Sequence, residues 1–367
     1  MSKFTYVIAG VGILILIGIG WYAYSRPAVV ANNQPLKVGA MLLLSGDFAS
    51  YGGGARNGVE LAVQEYNANP KNTRKVEVVY EDTKADPKTA VSAYRKLTSV
   101  DHVDAILGPM LQTEMSAIAP IIKDDKMPVF AMTYPDMALR GQIPNLLVVW
   151  PNPTLESEKF AQYLYDEEHV RSVAILGTQD SWEAEVCAAF EKKFKELGGT
   201  VVDTEIVLQT DESPSVAVTK ALAKKPEALF IGSYYRFIYF VNKAKELGFK
   251  GKLYSIEVDS SMLQETQPYS NGLRFISPEF FTDAYVTAFQ QLAGSKPNIP
   301  SGQTYDAMSI LLSIMPTAVD RADAVQKMST LGSFDGASGH ITFSTDRQAT
   351  FPVNIFEAQG ADIVRVK

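Results

Sequence analysis

The sequence predicts an α/β chain folded as two doubly wound, parallel-sheet lobes joined by a three-crossing hinge, with a ligand cleft between them. Three observations predict this. From Leu36 onward, short apolar runs alternate with amphipathic stretches. The alternation restarts after Trp150-Pro151-Asn152-Pro153. The chain's 367 residues, 46% hydrophobic and 20% charged, suffice for two domain cores.

In the first lobe, the runs at 38–44, 76–80, 105–107 and 129–132 read as buried strands, separated by helical stretches at 55–66, 87–97 and 114–123. Right-handed crossovers between parallel strands place helices on both faces of such a sheet. In the second lobe, strands are expected near 173–176, 201–207, 229–231 and 253–256, with helices at 156–166, 183–197 and 237–247. The last two helices end at Gly198 and Gly248, where a glycine accepts the left-handed conformation that closes a helix. After Glu257 the rhythm changes: a strand at 273–276 is followed by helices at 278–292 and 305–319 with no strand between. Those helices need a sheet to cover. The chain is therefore expected to return to the first lobe at about Phe275 and to cross again near Gly339, so that strands at 341–343 and 353–357 finish the second lobe. The expected division is 36–150 with 275–337 for one lobe, and 151–274 with 338–367 for the other.

Residues 1–35 form a separate unit, in which an almost unbroken apolar run at 7–24 lies between Lys3 and Arg26. A hydrocarbon core of about 30 Å needs about 20 helical residues, so this run suits either a membrane anchor or the apolar core of a cleaved signal peptide. The segment at 28–35 reads as a linker, and no cysteine follows the run to carry a lipid. With no second apolar span, the body is expected outside the cytoplasmic membrane.

Composition excludes several chemistries. A net charge of −7 has the wrong sign for a surface that displaces counterions from nucleic acid. One cysteine, Cys187, cannot form an internal disulfide, and His102, His169 and His340 lack zinc-site spacing, so no metal is expected. Ser45-Gly46-Asp47 and Tyr51-Gly52-Gly53-Gly54 follow a strand but carry neither a P-loop nor a dinucleotide fingerprint, and no cofactor is expected. No G-x-S-x-G elbow or nucleophile–base pair occurs, so the reading is of a non-enzyme.

The strand ends carry more. Gly108-Pro109-Met110-Leu111-Gln112-Thr113, Ala131-Met132-Thr133-Tyr134-Pro135, Gly177-Thr178-Gln179-Asp180-Ser181-Trp182 and Gly232-Ser233-Tyr234-Tyr235 each follow an expected strand, and another strand ends in Glu257. Hydroxyls and helix N-terminal amides suit a carboxylate, Glu257 suits an ammonium, and the aromatics can wall an apolar group.

Further motifs add a family likeness: Leu44-Ser45-Gly46 with Tyr51-Gly52 and Asn57-Gly58, Tyr80-Glu81-Asp82 with Asp86-Pro87, Leu107-Gly108-Pro109, Tyr305-Asp306-Ala307, and Gly339-His340-Ile341-Thr342-Phe343. In this order the chain resembles the type I periplasmic binding proteins, specifically the branched-chain amino acid (leucine/isoleucine/valine) binding group of ABC transporters. The resemblance implies that two lobes close over an amino acid or analogue and present it to a membrane permease. It implies ligand-binding roles for Thr133, which holds the α-carboxylate and α-ammonium ends, for Glu257, which pairs with the ammonium, and for Tyr51 and Tyr234. Trp182 stands where the group has a tyrosine, and Gln112-Thr113 where it has adjacent serines, which leaves the side-chain preference open. The same fold also serves sensory or regulatory receptors for amides and other small polar solutes, the alternative reading.

Overall fold

A computed structural model describes residues 34–366 apart from 212–213 and 279–280. The apolar run at 7–24 lies outside the described residues. Among the described residues no helix is long and apolar enough to cross a membrane.

The chain begins with β1 (Leu36–Leu42), whose burial is nearly continuous, as expected for a strand covered on both faces. Then follow α1 (Ala49–Ala68), β2 (Val76–Asp82), α2 (Pro87–Ser99), β3 (Ala105–Leu107), α3 (Gln112–Asp125), β4 (Val129–Ala131) and β5 (Leu146–Val148). These five strands form one parallel sheet in the order β2-β1-β3-β4-β5. The chain crosses into α4 (Pro153–Asp166), and continues through β6 (Ser172–Thr178), α5 (Ser181–Glu196), β7 (Thr200–Val207), α6 (Ser215–Ala223), β8 (Ala228–Ile231), α7 (Phe237–Glu246), β9 (Lys252–Ile256), α8 (Ser260–Glu265) and β10 (Arg274–Ser277). It then returns through α9 (Asp283–Ala293), α10 (Ser301–Ile314) and α11 (Arg321–Thr330) to a small antiparallel sheet of β11 (Ser333–Gly336), β12 (Gly339–Phe343) and β13 (Ala349–Thr350). Finally β14 (Asn354–Gln359) and β15 (Asp362–Arg365) join the second sheet, which runs β15-β14-β10-β9-β8-β6-β7.

Two expectations about sheet membership are corrected here. The strand expected to lead back to the first lobe at about Phe275 pairs in parallel with β9, and Phe275 is buried in the second lobe's core, so the crossing falls after Ser277. The strand at 341–343 does not finish the second lobe. Ile341 and Ala349 pack into the first lobe's core, and the last crossing falls between Thr350 and Asn354. Apolar runs of four or five residues specify burial, and tertiary partners decide which core they enter. The segments that lead into the first and last crossings run side by side, joined by a parallel bridge between Val148 and Gln348, with Val148 N–H donating to Arg347 O at 3.0 Å.

Local motifs have packing causes. A Cβ on Gly52 would lie 1.8 Å from the Leu43 carbonyl, so only glycine lets α1 start against the end of β1. A Cβ on Gly58 would lie 2.2 Å from Ser301 O, and its absence brings α1 and α10 together. Asp306 on α10 is fully buried and accepts Ala337 N–H at 2.5 Å and Ser338 N–H at 2.9 Å, pinning the turn between β11 and β12. Replacing Asp306 with Ala leaves two buried amides without their acceptor, so Asp306→Ala is expected to lower unfolding stability by about 2–4 kcal/mol in denaturant titrations, with the cavity residues unmoved.

Candidate functional site

Both large sheets reverse strand order among their parallel strands, at β1/β3 in one lobe and at β6/β8 in the other. Loops leaving the carboxyl ends at such a point diverge and leave a crevice. Here the loops of both sheets line one cavity, open at its mouth. Met110, Leu111, Gln112 and Thr133 reach it from the first lobe, and Asp180, Trp182, Tyr234, Tyr235, Glu257 and Asp259 from the second. Of the residues singled out in the sequence, Tyr51, Gln112, Thr133, Trp182, Tyr234 and Glu257 meet here. Thr113 is exposed and does not line the cavity, because the helical turn after Gln112 rotates it outward.

The aromatic wall joins the lobes. Phe48 meets Tyr235 edge-on with centroids 5.6 Å apart, and Tyr51 meets Tyr234 at 6.2 Å. Burial raises the Tyr51 phenol well above its usual range, so it stays neutral. The Tyr234 hydroxyl donates to Asp259 Oδ2 at 2.9 Å. The Tyr234-Tyr235 loop is held by Glu183, whose Oε1 accepts both backbone amides at 2.8 and 2.9 Å while Oε2 accepts Thr178 N–H and Oγ–H. Glu183 was not singled out in the sequence. Its signal is the Asp180-x-x-Glu183 spacing of a helix start, which would have identified a capping acid but not the loop it holds. Phe48, Trp150 and Asp259 were also missed, while Tyr235 stood in a strand-end motif without a role assigned.

Glu257 lines the cavity and pairs with a second acid, Glu156, outside its lining. Glu257 is 8% exposed and has φ of +49°, a left-handed conformation that a non-glycine residue adopts only when its surroundings enforce it. Glu156, in the first turn of α4, is 2% exposed. Both oxygens of Glu156 and Oε1 of Glu257 are buried without a partner that donates to them. Two ionised carboxylates only accept, so the pair is satisfied when one carries a proton. Burial raises Glu156 well above the ordinary carboxyl range, and the charge of Glu257 adds to this. Burial also pushes Glu257 up to about 7, opposed by the hydrogen bond from Glu156. Near neutrality Glu156 therefore holds the proton and donates it toward Glu257.

Beside the cavity, Arg140 of the first lobe forms a two-pronged pair with Glu185 of α5, at 2.8 and 2.5 Å. Both side chains are largely buried; the guanidinium lies 4.6 Å from the Tyr134 ring centroid, and Thr154 Oγ–H donates to the same carboxylate at 2.6 Å. Such planar, charge-assisted pairs fix orientation as well as contact.

Raised carboxyls bind protons more tightly in the native than in the unfolded chain, so they remove stability as pH rises through the interval between the two values. Glu257 and Glu156 act in this sense, as do Glu114, pushed up to about 7 by burial, and Asp306, up to about 6. The unliganded protein is expected to lose stability between about pH 5 and 8, by up to ~1.4 kcal/mol per unit for each proton released. Glu156→Gln, a permanent neutral donor, is expected to flatten part of that slope when melting is followed across the range.

A family profile described as "Periplasmic binding protein" matches residues 35–362. The Leu/Ile/Val-binding protein BraC3 of Rhizobium johnstonii is 24% identical over 206 residues, which is 55% of this chain and 56% of that one, so the chain spans little more than half of this relative's length. A leucine-binding protein of Thermotoga maritima superposes with a TM-score of 0.83 at 21% identity, covering 90% of this chain and 98% of that one. A solute-binding protein of an ABC transporter from R. palustris, solved in complex with benzoate, gives 0.79 at 19% identity, covering 90% and 95%. With nearly all of the described residues inside one family match, the chain belongs to the periplasmic binding protein family.

Proposed function

We propose that this protein is the extracytoplasmic receptor of an ABC transporter and captures an amino acid or close analogue by closing its two lobes over it, without chemical change. The observation that carries this reading is Glu257, a largely buried acid that lines a cavity built from both lobes. An ammonium group supplies the opposite charge that the cavity's described lining lacks. Aromatic faces supply the rest of the enclosure for an apolar body. The Cys187 thiol is buried and raised far above neutral pH by burial, which removes the chain's one thiol as a nucleophile.

In this reading the two sheets move as bodies, the first lobe comprising 36–148 with 283–350 and the second 153–277 with 354–366, and the three connecting segments flex. The ligand docks between them, and closure brings Trp182, Tyr234 and Glu257 onto it. The closed form, latched by Arg140 and Glu185, is what a membrane permease recognises. The apolar segment at 7–24 directs the body across the membrane or holds it there.

Glu257→Ala is expected to abolish measurable ligand binding, a loss of at least 100-fold and about 3–5 kcal/mol, because the ligand's ammonium is left buried and unpaired. Calorimetric titration of the variant, with its melting curve as the control for folding, tests this; unchanged affinity would remove the ammonium pose. Glu185→Ala, which touches no cavity residue's donor or acceptor, is expected to speed ligand release about tenfold or more while leaving association nearly unchanged, as measured by stopped-flow.

A further inference from the structure

We infer that the solute is a small organic cation of net charge +1, an amine whose second end is neutral, rather than a zwitterionic amino acid or an aromatic carboxylate. The inference rests on the cavity being a small-solute site, as proposed above, and narrows the class of that solute.

The first ground is the charge inventory. Asp180, Glu257 and Asp259 line the cavity, and among the described lining residues there is no lysine, arginine or histidine. Arg140, the nearby cation described above, is already matched by Glu185. A ligand carboxylate entering this space finds no opposite charge, whereas an ammonium finds several.

The second ground is that acids of the chain itself stand at the helix starts around the cavity, where a ligand carboxylate would meet them. A helix N-terminus attracts a carboxylate through its free amides. At α3, Glu114 Oε2 accepts Leu111 N–H at 3.3 Å. At α5, Asp180 Oδ1 accepts Trp182 and Glu183 N–H at 2.9 and 3.2 Å. The Gln112 amide, placed where a ligand carboxylate would be gripped, has its Nε2 3.5 Å from Asp136 Oδ1, so a second carboxylate already stands beside it. The Thr133 and Tyr51 hydroxyls also line the first-lobe side, and a hydroxyl suits an amide or a water as well as an anion.

The third ground is independent of charge counting. The Glu257 carboxyl lines the cavity, and rings from both lobes surround the same space: Phe48, Tyr51, Trp150, Trp182, Tyr234 and Tyr235. Aromatic faces carry negative potential and favour an ammonium over an anion. One carboxylate within an aromatic enclosure is the chemistry that holds an alkylammonium or arylalkylammonium group.

Two isosteric series test the inference by calorimetric titration of the full chain at pH 7: leucine, 3-methylbutylamine and 4-methylpentanoate, and phenylalanine, 2-phenylethylamine and 3-phenylpropanoate. In at least one series the amine is expected to bind at least tenfold more tightly than the amino acid, with no binding of the acid. An amino acid that binds as tightly as its amine, or more tightly, overturns this inference and leaves the receptor reading of the previous section standing. Binding by the acids alone, or by none of the six, overturns both. The preference for the amine is expected to vanish in Glu257→Gln, which keeps the shape of the side chain; a preference that survives there shows that the cation does not sit on Glu257 and overturns the assignment.

Discussion

Two carboxyl groups that cannot both be ionised in the same dry space set the terms for the rest of this molecule. Glu156 and Glu257 come from different elements, the first turn of α4 and the residue after β9, and meet behind the cavity that Glu257 lines. Holding them there costs desolvation, which burial by the second lobe imposes on both. A proton on one relieves the repulsion and lets the two acids hydrogen-bond, with Glu257 still lining the cavity. The left-handed backbone at Glu257 shows that the fold enforces this placement against local preference. Strain and desolvation gathered at one point beside a cavity are what a site looks like before its partner arrives.

The architecture was legible where a residue's own neighbours determine its role. Alternating apolar and amphipathic segments translate directly into parallel strands under helices, and Gly52, Gly58 and Asp306 stand in motifs whose close approaches the structure now accounts for. What was not legible depends on distant partners. Phe275 and Ile341 look equally apolar in the sequence, yet one enters the second lobe's core and the other the first's. Glu156 reads as an ordinary acid in a helix's first turn, where the dipole welcomes it, and nothing nearby announces that Glu257 will lie opposite. Thr113 shows the converse: a hydroxyl beside the right residue, turned away by one helical step.

Family membership accounts for the two lobes and the position of the cleft, and leaves its chemistry to this chain's own residues. Proteins that superpose on it include one solved with benzoate, an anion, so the fold itself does not choose the sign of its ligand. That choice lies in a few side chains at the loop tips. Here the loop tips are acidic and aromatic, and their acids also cap the helices that carry them, so charge and scaffold are built from the same groups.

The aromatic enclosure has a further consequence. The chain has three tryptophans, and both of those among the described residues, Trp150 in the first crossing and Trp182 at the start of α5, lie against the cavity. Indole emission follows the polarity and hydration around the ring. The protein thus carries its own optical gauge at the place where its lobes meet, and the filling or emptying of the cavity is written into its ultraviolet fluorescence without any added label.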